Sequence, residues 1–277
     1  MDTFHILNFH QIFAENASCL SQRLGIDIIG DFEPQSGHTY IIFSSHDQAA
    51  ALYNIQQNNQ DIKYIIINTE PPQSNHHRNK YYISLMKNNI VCDYHPISSI
   101  YLKSLGIRVF CQYNFEFFEG ASPLVRDIDI LFVGTKSDRR EAIYKRLKER
   151  YPDKNIVFEM DWKHSDPNRL NELLWRAKTV LNIPFYDSNI LETHRINKAL
   201  SCGCEVVSLF SGHKHTDDFY SKYIYMVDDL FQHFDEPELP LHMQEKKLGY
   251  ADLVRNDISK CAVHLSWILT QLSKSVS

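Results

Sequence analysis

The sequence has no apolar run approaching the ~20 residues needed to span a bilayer. Its opening, MDTFHILNFH, carries an acid at position 2 where a secretory leader would carry a basic region. A soluble, cytoplasmic chain is the expectation. It also lacks a basic excess: the formal net charge of −5 argues against strong nonspecific adhesion to nucleic acid or anionic membrane. The six cysteines, at 19, 92, 111, 202, 204 and 261, lack the rhythm of a disulfide framework and fall mostly in apolar segments, so reduced, buried thiols are expected. Cys202-Gly-Cys204 is one residue short of a CxxC redox pair. Neither the GxxxxGK[ST] nor the GxGxxG phosphate loop is present, nor are HExxH, paired CxxC, a GxSxG nucleophile elbow or an internal repeat. The neighbouring histidines His76 and His77, and His213 and His215 around Lys214, therefore read as solvated loops, and no metal is expected.

What is present is an alternation of strand and helix patterns. At 277 residues the chain suggests roughly two domains of ~100–150 residues each. In the first half, residues 3–8, 26–29, 39–43 and 64–67 read as strands, with helices over 12–24, ended by Gly25, and 47–57 after Ser44 and Ser45. Pro71 and Pro72 force Asn68 to Gln73 out of the sheet at its carboxyl edge, leaving Glu70 there. A helix over 81–87, a strand over 90–94 ending in Asp93-Tyr94-His95, a helix over 98–105 and a strand over 108–110 follow. Periodicity lapses between Tyr113 and Asp127, and Gly120, Ser122 and Pro123 mark the linker between residues 1–120 and 121–277.

The second half opens with a strand over 129–133, then Gly134-Thr135-Lys136-Ser137-Asp138-Arg139-Arg140 and an amphipathic helix to Lys148. A glycine after a first strand lets backbone approach a phosphate, and Arg139 and Arg140 can counter its charge from a polar, exposed helix start. A strand over 156–158 leads to Trp162, a candidate for stacking on a base or for covering the core, and Pro167 opens a helix to Ala177. The stretch Thr179 to Leu209 organises this half. A strand ends at Ile183, Asp187 to Asn189 offer helix caps, a helix runs from Ile190 to Leu200, Gly203 stops it, and 205–209 resumes a strand. Glu192 and Arg195, three apart, share a helix face. Such a β-α-β unit places Pro184 to Arg195 beyond the carboxyl ends of parallel strands, where open sheets bind ligands and a helix N-terminus favours an anion. A strand over 223–227 and one long helix over 248–272 close the chain.

The pattern Leu181-Asn182-Ile183, then Leu191-Glu192-x-x-Arg195-Ile196-x-x-x-Leu200, Gly203 and Val206-Val207-Ser208 resembles the donor-side motif of GT-B glycosyltransferases, especially the small bacterial and viral CgeB-like or YkvP-like group. FVGTKSDRR resembles the opening of the C-terminal domain in the same group, and Glu70 and Asp93-Tyr94 more loosely resemble its acceptor side. The resemblance implies two Rossmann-like α/β domains facing an interdomain cleft, with a terminal helix that crosses back. The activity it implies is transfer of a hexose or pentose from a nucleotide-sugar donor to a glycan, protein, small molecule or modified nucleic-acid base, without a bound metal or other cofactor. Glu70, Asp93, His95 and Glu192 are the implied catalytic candidates. Gly134, Thr135, Arg139, Arg140, Asn182, Arg195 and Lys198 are the donor-binding candidates. The family's second carboxylate is replaced: seven intervening residues after Glu192 lead to Leu200, and the neighbouring Lys198 and Ala199 offer no carboxylate either. A GT-B-fold epimerase or hydrolase and a non-catalytic nucleotide-sugar-binding module are the rival readings.

Overall fold

A computed structural model describes residues 3–30, 32–120, 125–160, 167–186, 190–235 and 247–274. Trp162 and the caps at 187–189 lie outside the described residues. The chain divides into two units, residues 1–117 with 254–277, and residues 118–253. Each unit is built on a parallel sheet of five strands among the described residues.

In unit 1 the strands are β1 (Thr3–Asn8), β2 (His38–Phe43), β3 (Lys63–Asn68), β4 (Ile90–Asp93) and β5 (Val109–Gln112), adjacent in that order and all parallel. Helices α1 (Ala14–Leu24), α2 (Ala49–Asn58), α3 (Lys80–Lys87) and α4 (Pro96–Ser104) join them. Continuous apolar runs are what strands covered on both faces require, and Tyr40–Phe43 and Ile65–Ile67 are fully buried. The expected helix over 12–24 begins as a 3₁₀ turn, Gln11–Phe13, and α1 ends on Gly25, whose φ of 66° is the left-handed cap that glycine adopts without cost. The expected strand over 26–29 is reduced to one parallel bridge, Ile28 to Ile6, on the outer side of β1. The chain thus leaves β1, passes outside it and returns to β2 on the other side. That reversal makes the gap between β1 and β2 a topological switch point.

The C-terminal segment is not the single helix expected. A short helix, Tyr250–Leu253, gives way to a π-helical turn, Val254–Ile258, and then to a helix over Ser259–Lys274. The interruption coincides with the passage of the chain from one unit to the other, and within the turn Asp257 accepts a hydrogen bond from Asn114 Nδ2. The last helix packs on α1 and β5 of unit 1 through Cys261, Leu265, Ile268 and Leu269. All six cysteines are free, and five are buried.

Unit 2 contains β6 (Ile128–Val133), β7 (Ile156–Glu159), β8 (Ala177–Asn182), β9 (Glu205–Leu209) and β10 (Tyr225–Val227), ordered β10-β9-β8-β6-β7 and all parallel. Its longer helices are α5 (Asp138–Arg150), α6 (Pro167–Arg176), α7 (Thr193–Ser201) and α8 (Lys214–Tyr220) among the described residues. The strand order reverses between β6 and β8, so α5 and α7 leave the sheet on opposite faces and a crevice opens at the carboxyl ends of these two strands. Helix α7 starts three residues later than its apolar spacing suggests. Ile190 and Leu191 are buried before the helix begins, so their apolar character reports packing rather than helical turns. The helix ends at Ser201, and Gly203, with φ of 71°, turns the chain into β9.

No described helix is long and apolar enough to cross a membrane.

Candidate functional site

The switch-point crevice of unit 2 is filled by two guanidinium groups. Arg140, on the first turn of α5, donates from Nε and Nη2 to the carbonyl of Ile183 at 3.1 and 2.6 Å, and from Nη1 to the carbonyl of Thr135 at 2.7 Å. Arg195, on the first turn of α7, donates from Nε to the carbonyl of Val133 at 2.8 Å and from Nη1 to Asn182 Oδ1 at 3.0 Å. These carbonyls belong to the backbone just past or at the ends of β6 and β8, so both arginines tie the two strand ends together with the planar fork that lysine lacks. Asn182 is held in turn by Ser208, whose hydroxyl accepts from its Nδ2 at 2.9 Å.

Glu192 joins the two. Its Oε1 accepts from Arg140 Nη2 at 2.7 Å and from the Phe185 amide at 2.8 Å, and its Oε2 lies 2.5 Å from Arg195 Nη2. The Phe132 ring sits under both cations, with the Arg140 and Arg195 Cζ atoms 4.8 and 4.9 Å from its centroid. Gly134 makes this stacking possible. A Cβ there would lie 2.7 Å from Arg195 Nη2 and 2.9 Å from Phe132 Cζ. The absence of a side chain at Gly134 leaves room for both guanidiniums.

Two positive charges share one carboxylate. Burial and the neighbouring Arg195 push Arg140 down to about 10, although its bonds to Glu192 oppose this, and it remains charged at neutral pH. The expectation of an exposed Arg140 is therefore corrected: its side chain is 1% exposed, because four donors find acceptors in the crevice. Arg195 at 13% and Glu192 at 31% side-chain exposure keep contact with solvent. Arg139, the next residue along α5, is half-buried and Thr135 exposed, while Lys198 is buried in α7. Leu200, where the family pattern has its second carboxylate, is buried as well.

In unit 1 the carboxyl edge of the sheet carries a polar network. Asp93, at the end of β4, accepts from Asn68 Nδ2 at 2.7 Å, Ser98 Oγ at 2.9 Å and the His95 amide at 2.9 Å. Tyr82 donates to Asn68 Oδ1 at 2.7 Å. Burial raises the Asp93 carboxyl to about 6 against these hydrogen bonds, which act the other way. Asp93 and His95 are fully buried, and His95 Nδ1 caps α4 by accepting from the Ile97 amide.

Glu70 alone of the three reaches the surface. Its Oε2 accepts from Ser74 Oγ at 2.5 Å, and its carboxylate faces His46 Nε2 at 3.4 Å and His76 Nε2 at 4.0 Å. Burial lowers the His46 imidazole, with Glu70 opposing the shift. His46 and Phe132 went unmarked in the sequence. The histidine carries no spacing signal, and a phenylalanine within an apolar strand does not announce that its ring face will meet cations.

No family model matches the sequence, and no curated protein matches it. Among solved structures, the chain is similar to one in the crystal structure of the GtfA/B complex, at 11% identity and a TM-score of 0.47, covering 88% of this chain and 58% of that one. It is similar also to the crystal structure of TarM, at 10% identity and a TM-score of 0.46, covering 93% of this chain and 54% of that one. The chain spans little more than half the length of either.

Proposed function

We propose that the chain is a glycosyltransferase whose nucleotide-sugar donor places its diphosphate against Arg195 at the β6/β8 crevice, where the buried Arg140 adds its positive charge from beneath. The observation that carries this reading is the pairing of two guanidiniums over one aromatic ring with a single carboxylate between them. Like charges held together destabilise each other, and a diphosphate relieves that repulsion while a neutral ligand does not. The crevice lies where open parallel sheets bind nucleotides, and the motif of Asn182, Glu192 and Arg195 resembles the donor side of GT-B enzymes. In the transfer, the bond from the anomeric carbon to the diphosphate breaks and a bond to the acceptor nucleophile forms. Negative charge then collects on the leaving diphosphate, where the guanidiniums stabilise it. The proton of the acceptor hydroxyl passes to the departing diphosphate or to solvent water, which completes the balance.

Glu192 acts here as the bridge that holds both cations, and Asn182 as the residue that aims Arg195. Arg139 adds charge at the rim.

The test is donor affinity by calorimetry across a panel of nucleotide sugars, followed by turnover with glycan, protein, small-molecule and nucleic-acid acceptors. A charge-assisted contact is worth about 1.5–3 kcal/mol, so Arg195→Ala is expected to weaken donor binding roughly 10- to 150-fold, and Arg195→Lys to recover only part. Arg139→Ala should change little. Arg140→Ala should lower the melting temperature, because it strips partners from two strand-end carbonyls. An Arg195→Ala protein that is folded and binds donor like the parent makes the cluster a structural ion network and ends the proposal. Tight donor binding with no turnover on any acceptor identifies a binding module instead.

A further inference from the structure

The carboxyl ends of β2 and β3 in unit 1 bring together three side chains that no motif in the sequence connects. His46 lies in a 3₁₀ turn, Ser45–Gln48, directly after β2, Glu70 lies two residues past the end of β3, and His76 lies in the 3₁₀ turn Asn75–Arg78. One ligand atom from each falls within 4.8 Å of the others. We propose that His46, Glu70 and His76 form a binding site for a first-row transition-metal dication, with Zn²⁺ the first candidate.

The donor set is two imidazole nitrogens and one carboxylate oxygen, which suits Zn²⁺ and its neighbours and is wrong for Mg²⁺ or Ca²⁺, whose ligands are oxygens. Bonds of about 2.0–2.1 Å in a tetrahedral site place the ligand atoms roughly 3.3 Å apart. His46 Nε2 is already 3.4 Å from Glu70 Oε1 and His76 Nε2 is 4.0 Å from Glu70 Oε2; these are different oxygens, so ligation through one of them requires a small shift of the other imidazole. The remaining contraction falls to His76, whose side chain is 46% exposed and sits at the surface.

The surroundings hold the ligands in place. Ser74 Oγ donates to Glu70 Oε2 at 2.5 Å and accepts from the His76 amide at 3.2 Å, so one hydroxyl orients two of the three ligands. Glu70 is further fixed by its amide, which donates to Asn68 Oδ1 at 3.3 Å. On the other side, Ser44 is buried with φ of 55°, in the left-handed region that a residue with a Cβ occupies at some cost, and this turn delivers His46 to the edge. Asp47 Oδ1, 3.5 Å from His46 Nε2, adds a second carboxylate at the rim. Three protein ligands and an open side toward solvent leave a position for water, the arrangement of a site that is not closed. A ligated Glu70 is not a free base.

The experiment uses the full chain, stripped with a chelator and titrated with Zn²⁺, Ni²⁺, Fe²⁺ under reducing conditions, and Mg²⁺, with a chromogenic chelator as competitor and the melting temperature as a second readout. One Zn²⁺ per chain is expected, with a raised melting temperature and no response to Mg²⁺. His76→Gln, at an exposed position that leaves the fold intact, should lose at least ~10-fold in Zn²⁺ affinity, and His46→Gln likewise. His215→Gln, on the other unit, should bind as the parent does. Failure to bind Zn²⁺ tightly overturns the proposal. So does a stoichiometric zinc site that His76→Gln leaves unchanged, whatever His46→Gln does to folding.

Discussion

Asp93 shows what a single buried carboxyl does to the pH dependence of the fold. Its ordinary value of 3.8 is raised to about 6 by burial, which exceeds the help of its hydrogen bonds from Asn68, Ser98 and the His95 amide. The folded state therefore holds the proton more tightly than the unfolded chain does. Its contribution is fully present below about pH 4, and is lost as the pH rises through about 6. The displacement corresponds to about 3 kcal/mol. Asp93→Asn cannot titrate, so the stability difference between parent and variant should move by roughly that amount in favour of the variant between pH 4 and pH 8. Urea unfolding of both proteins across this range measures it. A difference that stays flat with pH would place the Asp93 carboxyl at an ordinary value and remove the strain assigned to it.

At the scale of elements, the C-terminal helix is expected to be part of unit 1 energetically as well as in space. Leu265 is fully buried on the face that meets α1 and β5. Leu265→Ala should cost about 2–5 kcal/mol, the usual penalty for emptying a packed site, and chemical denaturation reads it directly. A cost near zero would mean the helix is only loosely seated. The same segment shows where sequence reading stops. Its apolar spacing gives a helix, but the π-helical turn at Val254–Ile258 arises where the chain passes between units and Asp257 meets Asn114, a residue far away in sequence. Strands such as Ile65–Ile67 were legible because a run of β-branched residues has few other uses. The strand over 26–29 was legible only as composition. Its single bridge to Ile6 depends on how the chain passes β1, which no local pattern records.

The site divides in the same way. Glu192 and Arg195 could be paired from their i, i+3 spacing, although Glu192 is the residue that precedes α7 rather than one of its own. Arg140 could not be joined to them. It lies 52 residues from Glu192 on a polar helix, where the charge pattern suggests a solvated face rather than a cation sealed by backbone carbonyls. His46, Glu70 and His76 likewise meet only because β2 and β3 are neighbours in the sheet.

For the whole molecule, the two ligand proposals assign different ligands to different units, and that separation can be tested in one measurement. Diphosphate charge belongs with Arg140 and Arg195 in unit 2, while a transition-metal ion belongs with His46, Glu70 and His76 in unit 1. Binding to a folded site slows the local openings that expose its backbone amides. A nucleotide-sugar donor should therefore increase hydrogen-exchange protection around the ends of β6 and β8 and the first turns of α5 and α7. Zn²⁺ should protect the turns after β2 and β3. With both present, each pattern should appear at its own site, and Arg195→Ala should erase the first without touching the second. His76→Gln should do the reverse. Donor protection confined to residues 1–117 would place the nucleotide sugar on the wrong unit and refute the assignment of the β6/β8 crevice. Zinc protection that follows the donor pattern would show the ion travelling with the diphosphate, and the histidine site would fall while the crevice stood.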